Sequence, residues 1–77
     1  MSNGGGYSGA TIRSTEQKGW VCFRLEDGSP SDIELSELLA KTVAKWIRQN
    51  PRRDVVSTAA IVSGGRTVGF NLWYQDQ

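Results

Sequence analysis

Residues 54–75, with the sequence DVVSTAAIVSGGRTVGFNLWYQ, decide the fold. Two runs rich in β-branched and aromatic residues flank Gly64-Gly65, and a pair of glycines favours the tight turn that closes a β-hairpin. A two-residue loop would place Ile61 opposite Val68. Alternation of side chains then predicts one apolar face, which consists of Val55, Ala59, Ile61, Val68, Phe70, Leu72 and Tyr74.

The opposite face of this hairpin is too apolar for an ordinary wet surface. We expect it to carry Val56, Thr58, Ala60, Val62, Thr67, Gly69, Asn71 and Trp73. A small domain with such a face usually covers it with a partner.

Residues 10–26 predict a first hairpin. In its second strand, Val21, Phe23 and Leu25 alternate with Trp20, Cys22, Arg24 and Glu26, which places the first three on one face. A two-residue turn at Lys18-Gly19 keeps Ile12 on that face, whereas a three-residue loop moves Ile12 to the opposite one. We favour the first register because it gathers the apolar residues. It also sets Arg13 directly opposite Arg24, so an acidic neighbour such as Glu26, Glu16 or Asp76 is expected to relieve the repulsion.

A helix lies between the two hairpins. Ser31 and Glu34 have the spacing of a capping box, although a start at Ser36 is an alternative, and Pro51 ends the helix. Seven residues repeat at helical spacing and predict one buried face, with Trp46 in the core: Leu35, Leu38, Leu39, Thr42, Val43, Trp46 and Ile47.

These elements predict an α+β fold of two layers. The order is ββαββ, with a four-stranded antiparallel sheet, one helix packed on one face and the second face open. Residues 1–9 are rich in Gly and Ser and predict a flexible tail, and residues 10–77 form a single domain. The sequence does not determine the strand order.

The amino-acid composition restricts which classes of function are open to this protein. The 77 residues carry 9 basic and 8 acidic side chains, no His and one Cys. We therefore expect no zinc site, no Ser-His or Cys-His pair and no cofactor. The lone Cys22 permits no internal disulfide and indicates the reducing cytoplasm, and no apolar run approaches the length of a membrane span. An enzyme that uses only Asp, Glu, Lys, Arg and Tyr side chains is chemically possible, but the sequence shows no group of carboxylates that would support one.

The sequence thus predicts a small non-enzymatic binding or assembly module. We expect it to bind itself, as a homodimer, or another protein through the sheet face opposite the helix. The interface candidates are Trp20, Cys22, Thr58, Ala60, Asn71 and Trp73.

The alternative is a domain that binds single-stranded nucleic acid on the same face. Aromatic side chains would stack on bases while cations meet phosphates. Its candidates are Arg13, Arg24, Arg48, Arg52 and Arg53. The formal net charge of +1 counts against it.

Overall fold

A computed structural model describes residues 9–77 and shows the predicted α+β order ββαββ. The expected tail lies outside the described residues, apart from Gly9. The elements are β1 (Thr11–Gln17), β2 (Trp20–Asp27), α1 (Asp32–Gln49), β3 (Arg53–Ser63) and β4 (Arg66–Asp76). All neighbouring strands are antiparallel, and the sheet order is β1-β2-β4-β3. The edges of the sheet are therefore β1 and β3.

A capping box begins α1. The backbone N–H of Glu34 donates to the Ser31 hydroxyl over 3.2 Å, and the Ser31 N–H donates to the Glu34 carboxylate over 2.9 Å. These bonds satisfy N–H groups that the first turn of a helix leaves without partners. The helix begins at Asp32, so the alternative start at Ser36 is wrong.

The core is thin and lies between α1 and the centre of the sheet. The described part of the chain buries six hydrophobic side chains: Val21, Phe23, Leu35, Leu39, Trp46 and Leu72. Trp46 contacts the Phe23 ring edge-on at a centroid distance of 6.3 Å and the Tyr74 ring at 5.3 Å. The predicted core position of Trp46 is confirmed, and β4 alternates as expected, with Leu72 and Tyr74 on the helix side.

The first hairpin has the predicted register. Ile12 lies opposite Leu25 and packs against the core, and Arg13 lies opposite Arg24.

The second hairpin departs from its predicted register in the middle. Two irregularities shift the pairing, one at Val68 in β4 and one at Val56 in β3, so Ile61 lies opposite Gly69 rather than Val68. A shift of one residue exchanges the two faces of a strand until a second bulge restores the register.

The shift corrects the predicted faces of several residues, and Val62 and Thr67 also lie on the helix side rather than on the open face. Thr58 lies opposite Leu72 and Ala60 opposite Phe70, so both share the helix side of the sheet rather than the open face. The open face receives Ser57, Ala59 and Ile61 instead, opposite Trp73, Asn71 and Gly69. The expected inward positions of Ala59 and Ile61 are therefore also wrong.

Gly69 allows β4 to lie close to the backbone of β2. A Cβ at this position would fall against the carbonyl oxygen of Phe23 and lie 3.0 Å from the Arg24 Cα. Both are backbone atoms of the neighbouring strand and cannot rotate away.

We expect Gly69→Ala to destabilise the protein by about 2 kcal/mol or more, since an added methyl group must push β2 and β4 apart. Chemical denaturation measures the loss. Gly65→Asn is the control, because Asn tolerates the positive φ of 78° in the turn. Equal stabilities of Gly69→Ala and the parent would contradict the close approach.

The capping box makes helix stability depend on pH. Hydrogen bonds from the backbone and side chain of Ser31 hold the pKa of the Glu34 carboxyl below its ordinary value of 4.5. A lowered folded-state pKa adds stability above pH 4.5, and this stability is lost as the pH falls through the folded-state pKa.

We expect Glu34→Gln to lower the melting temperature at neutral pH, and we expect the difference from the parent to shrink as the pH falls below 4.5. The control Glu37→Gln removes an exposed carboxylate of α1 outside the capping box, and it should leave the pH dependence of the melting temperature unchanged. A difference for Glu34→Gln that stays constant with pH would refute the role of the charge.

Candidate functional site

The helix leaves the β3 edge of the sheet uncovered. α1 packs over β2 and β4 and reaches β1, with only marginal contact to β3. A helix about 10 Å wide covers roughly two strands spaced about 4.8 Å apart. Within β3, every residue is exposed except Arg53 and Ile61, which are half-buried. This edge strand is thus accessible on both faces.

An apolar groove of about 470 Å³ runs between α1 and β3. Its wall is the side of α1 that points toward β3, and its floor is the helix side of β3 and β4. The lining residues are Ser36, Leu39, Ala40, Val43, Ala44, Ile47, Thr58, Thr67, Phe70 and Leu72.

Exposed apolar side chains flank this groove. Among residues 9–77, the large hydrophobic side chains left exposed are Ile33, Ile47, Val55, Val56, Val62 and Trp73. Ile33 is 75% exposed and lies on α1 seven residues before Ala40 and therefore on the same side of the helix as the groove. Val62, which is 64% exposed, pairs with Thr67 in the floor.

Val55 completes this set. It pairs with Tyr74, whose ring contacts Trp46, so Val55 also lies on the helix side of the sheet. We call the groove together with Ile33, Ile47, Val55 and Val62 the groove flank. Four of the six exposed large hydrophobic side chains thus lie on the groove side of α1 or on the helix side of β3.

An aromatic and ionic cluster fixes the C-terminal end of α1. The indole N–H of Trp46 donates to Glu16 Oε1 over 2.9 Å, and Arg53 Nη1 donates to the same oxygen over 3.2 Å. The Arg53 guanidinium also contacts Asp76 at 3.2 Å and lies 4.6 Å from the centroid of the Tyr74 ring. One arginine thereby connects α1 to β1, β3 and β4.

Arg66 fixes the other end of the helix. Its Nη2 donates to the carbonyl of Pro30 over 2.8 Å. Its Nε lies 3.0 Å from Asp32 Oδ1, which is close enough for an ion pair but not aligned for a hydrogen bond. Because both ends of α1 are attached to the sheet, the groove is an existing feature of the folded chain.

The open face holds four of the six interface candidates. Trp20 lies opposite Trp73, and Cys22 lies opposite Asn71. Thr58 lines the groove, and Ala60 lies beside it on the same strand. Trp73 is 38% exposed on the open face, and Val56, which is 58% exposed, lies in the bulge of β3.

The candidate cations for nucleic acid lie in two places, the open face and the C-terminal end of α1. Arg13 forms an ion pair with Glu26 at 3.6 Å, one of the neighbours that the sequence predicted. Arg24 lies on the open face opposite Gly69, whereas Arg53 is bonded to Glu16 and Asp76. Arg48 lies in the last turn of α1, and Arg52 lies in the turn that follows it.

The groove flank was not predicted from the sequence. Ile47 was assigned to the buried face of the helix, yet it is 42% exposed. The available signal was a second row on the helix, since Ile33, Ala40 and Ile47 recur every seven residues. β3 is an edge strand because of the strand order, and no pattern in the sequence predicts that order.

The described residues 9–77 contain no group of three or more His, Cys, Asp or Glu side chains placed to hold a metal ion. Over the same residues, no helix combines the length and apolar character needed to cross a membrane. Comparisons with known proteins found no matching family, no similar curated protein and no similar solved structure.

We expect Arg53→Lys to destabilise the protein by about 1 kcal/mol, because lysine cannot keep the ring contact and both carboxylate contacts at once. Thermal denaturation measures the change. Arg52→Lys is the matched control, because Arg52 directly precedes Arg53 and its side chain is exposed and outside the cluster. Equal effects of the two substitutions would show that the cluster does not fix the helix.

Proposed function

We propose that this protein is a small, non-enzymatic assembly module that forms a homodimer through the groove flank. The observation that carries the proposal is the concentration of exposed hydrophobic side chains there, four of six in the described chain. Soluble monomers rarely leave a large contiguous apolar surface in water, and such surfaces mark interaction sites.

The thin core supports an additional apolar contact. Six buried hydrophobic side chains stabilise the described fold, and a domain of this size buries only about 60% of its unfolded surface. Covering apolar area contributes roughly 25 cal/mol for each Å². Ile33 and Val62 would therefore stabilise a dimer far more than they stabilise one chain.

A second copy fits the charge distribution. Residues 55–65 contain no charged side chain, so the β3 side of the groove flank carries nothing that would repel itself across a two-fold axis. The net charge of +1 adds almost no long-range repulsion between copies.

The proposal moves the contact from the open face to the groove flank. The register shift takes Thr58 and Ala60 away from the open face, and two of the six exposed large hydrophobic side chains, Val56 and Trp73, lie outside the groove flank. The candidate arginines are divided between two regions and the net charge is +1, so we do not adopt the nucleic-acid alternative.

A pair of charge insertions tests the contact. Ala44→Glu places a carboxylate in the exposed wall of the groove, and Thr15→Glu places one on the exposed surface of the open face. Sedimentation over micromolar concentrations measures the mass of each protein, and thermal denaturation verifies that each one folds.

We expect the parent and Thr15→Glu to approach twice the 8.5 kDa mass of one chain. Ala44→Glu should weaken dimerisation at least about tenfold, because the interface would bury an unpaired charge. Weakening by Thr15→Glu alone would assign the contact to the open face. A parent that stays monomeric at every concentration would overturn the proposal.

A further inference from the structure

We infer that the dimer joins two α1 helices side by side and antiparallel, across a two-fold axis near Ala40. This inference rests on the proposed function and names the geometry of the same contact. The occupant of the groove flank is thus the corresponding wall of a second copy.

A heptad row on α1 provides the seam. Ile33, Ser36, Ala40, Val43 and Ile47 are spaced by three, four, three and four residues. The last four of these residues line the groove, and helical geometry places Ile33 in the same row. In an antiparallel pair centred on Ala40, each Ile33 meets Ile47 of the partner subunit.

The centre of the row allows a close approach. Ala40 and Ala44 are exposed and small, so two helices can pack near the lower end of the usual 8–10 Å axial separation. The larger isoleucines at the two ends of the row, 75% and 42% exposed, would then become covered.

Charge complementarity selects the antiparallel orientation. The first half of α1 carries Asp32, Glu34 and Glu37, and the second half carries Lys41, Lys45 and Arg48. No acidic residue occurs from 38 to 53. An antiparallel pair sets the acidic half of each helix beside the basic half of the other, whereas a parallel pair sets like charges together.

Pairing of two β3 edges is the competing arrangement, and it leaves the helices apart. Because α1 lies over β2 and β4, its axis is about two strand spacings from the β3 edge. Joining two edges would separate the helix axes by roughly 19 Å, twice the distance at which helices pack. Ile33 and Ile47 would stay exposed, and the bulge at Val56 interrupts the edge itself.

Disulfide trapping separates the two arrangements. In a Cys22→Ser background, Ala40→Cys reports the helix seam and Ala60→Cys reports the β3 edge. Both alanines are exposed, so neither substitution disturbs the core. A disulfide requires the two Cβ atoms to approach within about 4.5 Å.

Each reduced variant is first sedimented to establish its mass and is then oxidised with oxidised glutathione. We expect both reduced variants to be dimers, with a covalent dimer only for Ala40→Cys. Cross-linking of Ala60→Cys alone, or of neither variant, would overturn the antiparallel seam while the dimer itself stands. A monomeric mass for both reduced variants would instead reject the proposed function.

Discussion

A single helix about 10 Å wide must cover a four-stranded sheet about 19 Å wide, and it cannot. The rest of the structure follows from which strand the helix leaves uncovered. α1 lies over β2 and β4 and reaches β1, so the uncovered strand is β3. A groove opens beside the helix, and the apolar side chains that border it have no cover within residues 9–77.

Polar contacts at both ends hold the helix in this off-centre position. Trp46 bonds to Glu16 on β1, and Arg53 reaches the same carboxylate from the other edge of the sheet. At the opposite end, Arg66 holds the segment before the helix through the Pro30 carbonyl. In the middle of β3, by contrast, Thr58 and Ala60 offer only small side chains to the helix side of the sheet. The helix therefore has more to pack against on the β1 side.

Local backbone geometry decides which residues of β3 border the groove. The bulges at Val68 and Val56 shift the middle of the hairpin by one residue. Thr58 and Ala60 consequently lie on the helix side, and Ala59 and Ile61 lie on the open face. On the face opposite the helix, the same shift exchanges Thr58 and Ala60 for Ala59 and Ile61.

The sequence by itself determined the elements and their order, because period, turn glycines and caps act between neighbouring residues. It placed the capping box, the first hairpin, the core position of Trp46 and the alternation of Phe70, Leu72 and Tyr74. Only the tertiary structure decided the strand order, the position of the helix across the sheet and the register inside the second hairpin. Those depend on contacts between distant segments, such as Gly69 with Phe23 or Arg53 with Glu16, and pairing energies of that kind leave no periodic pattern along the chain.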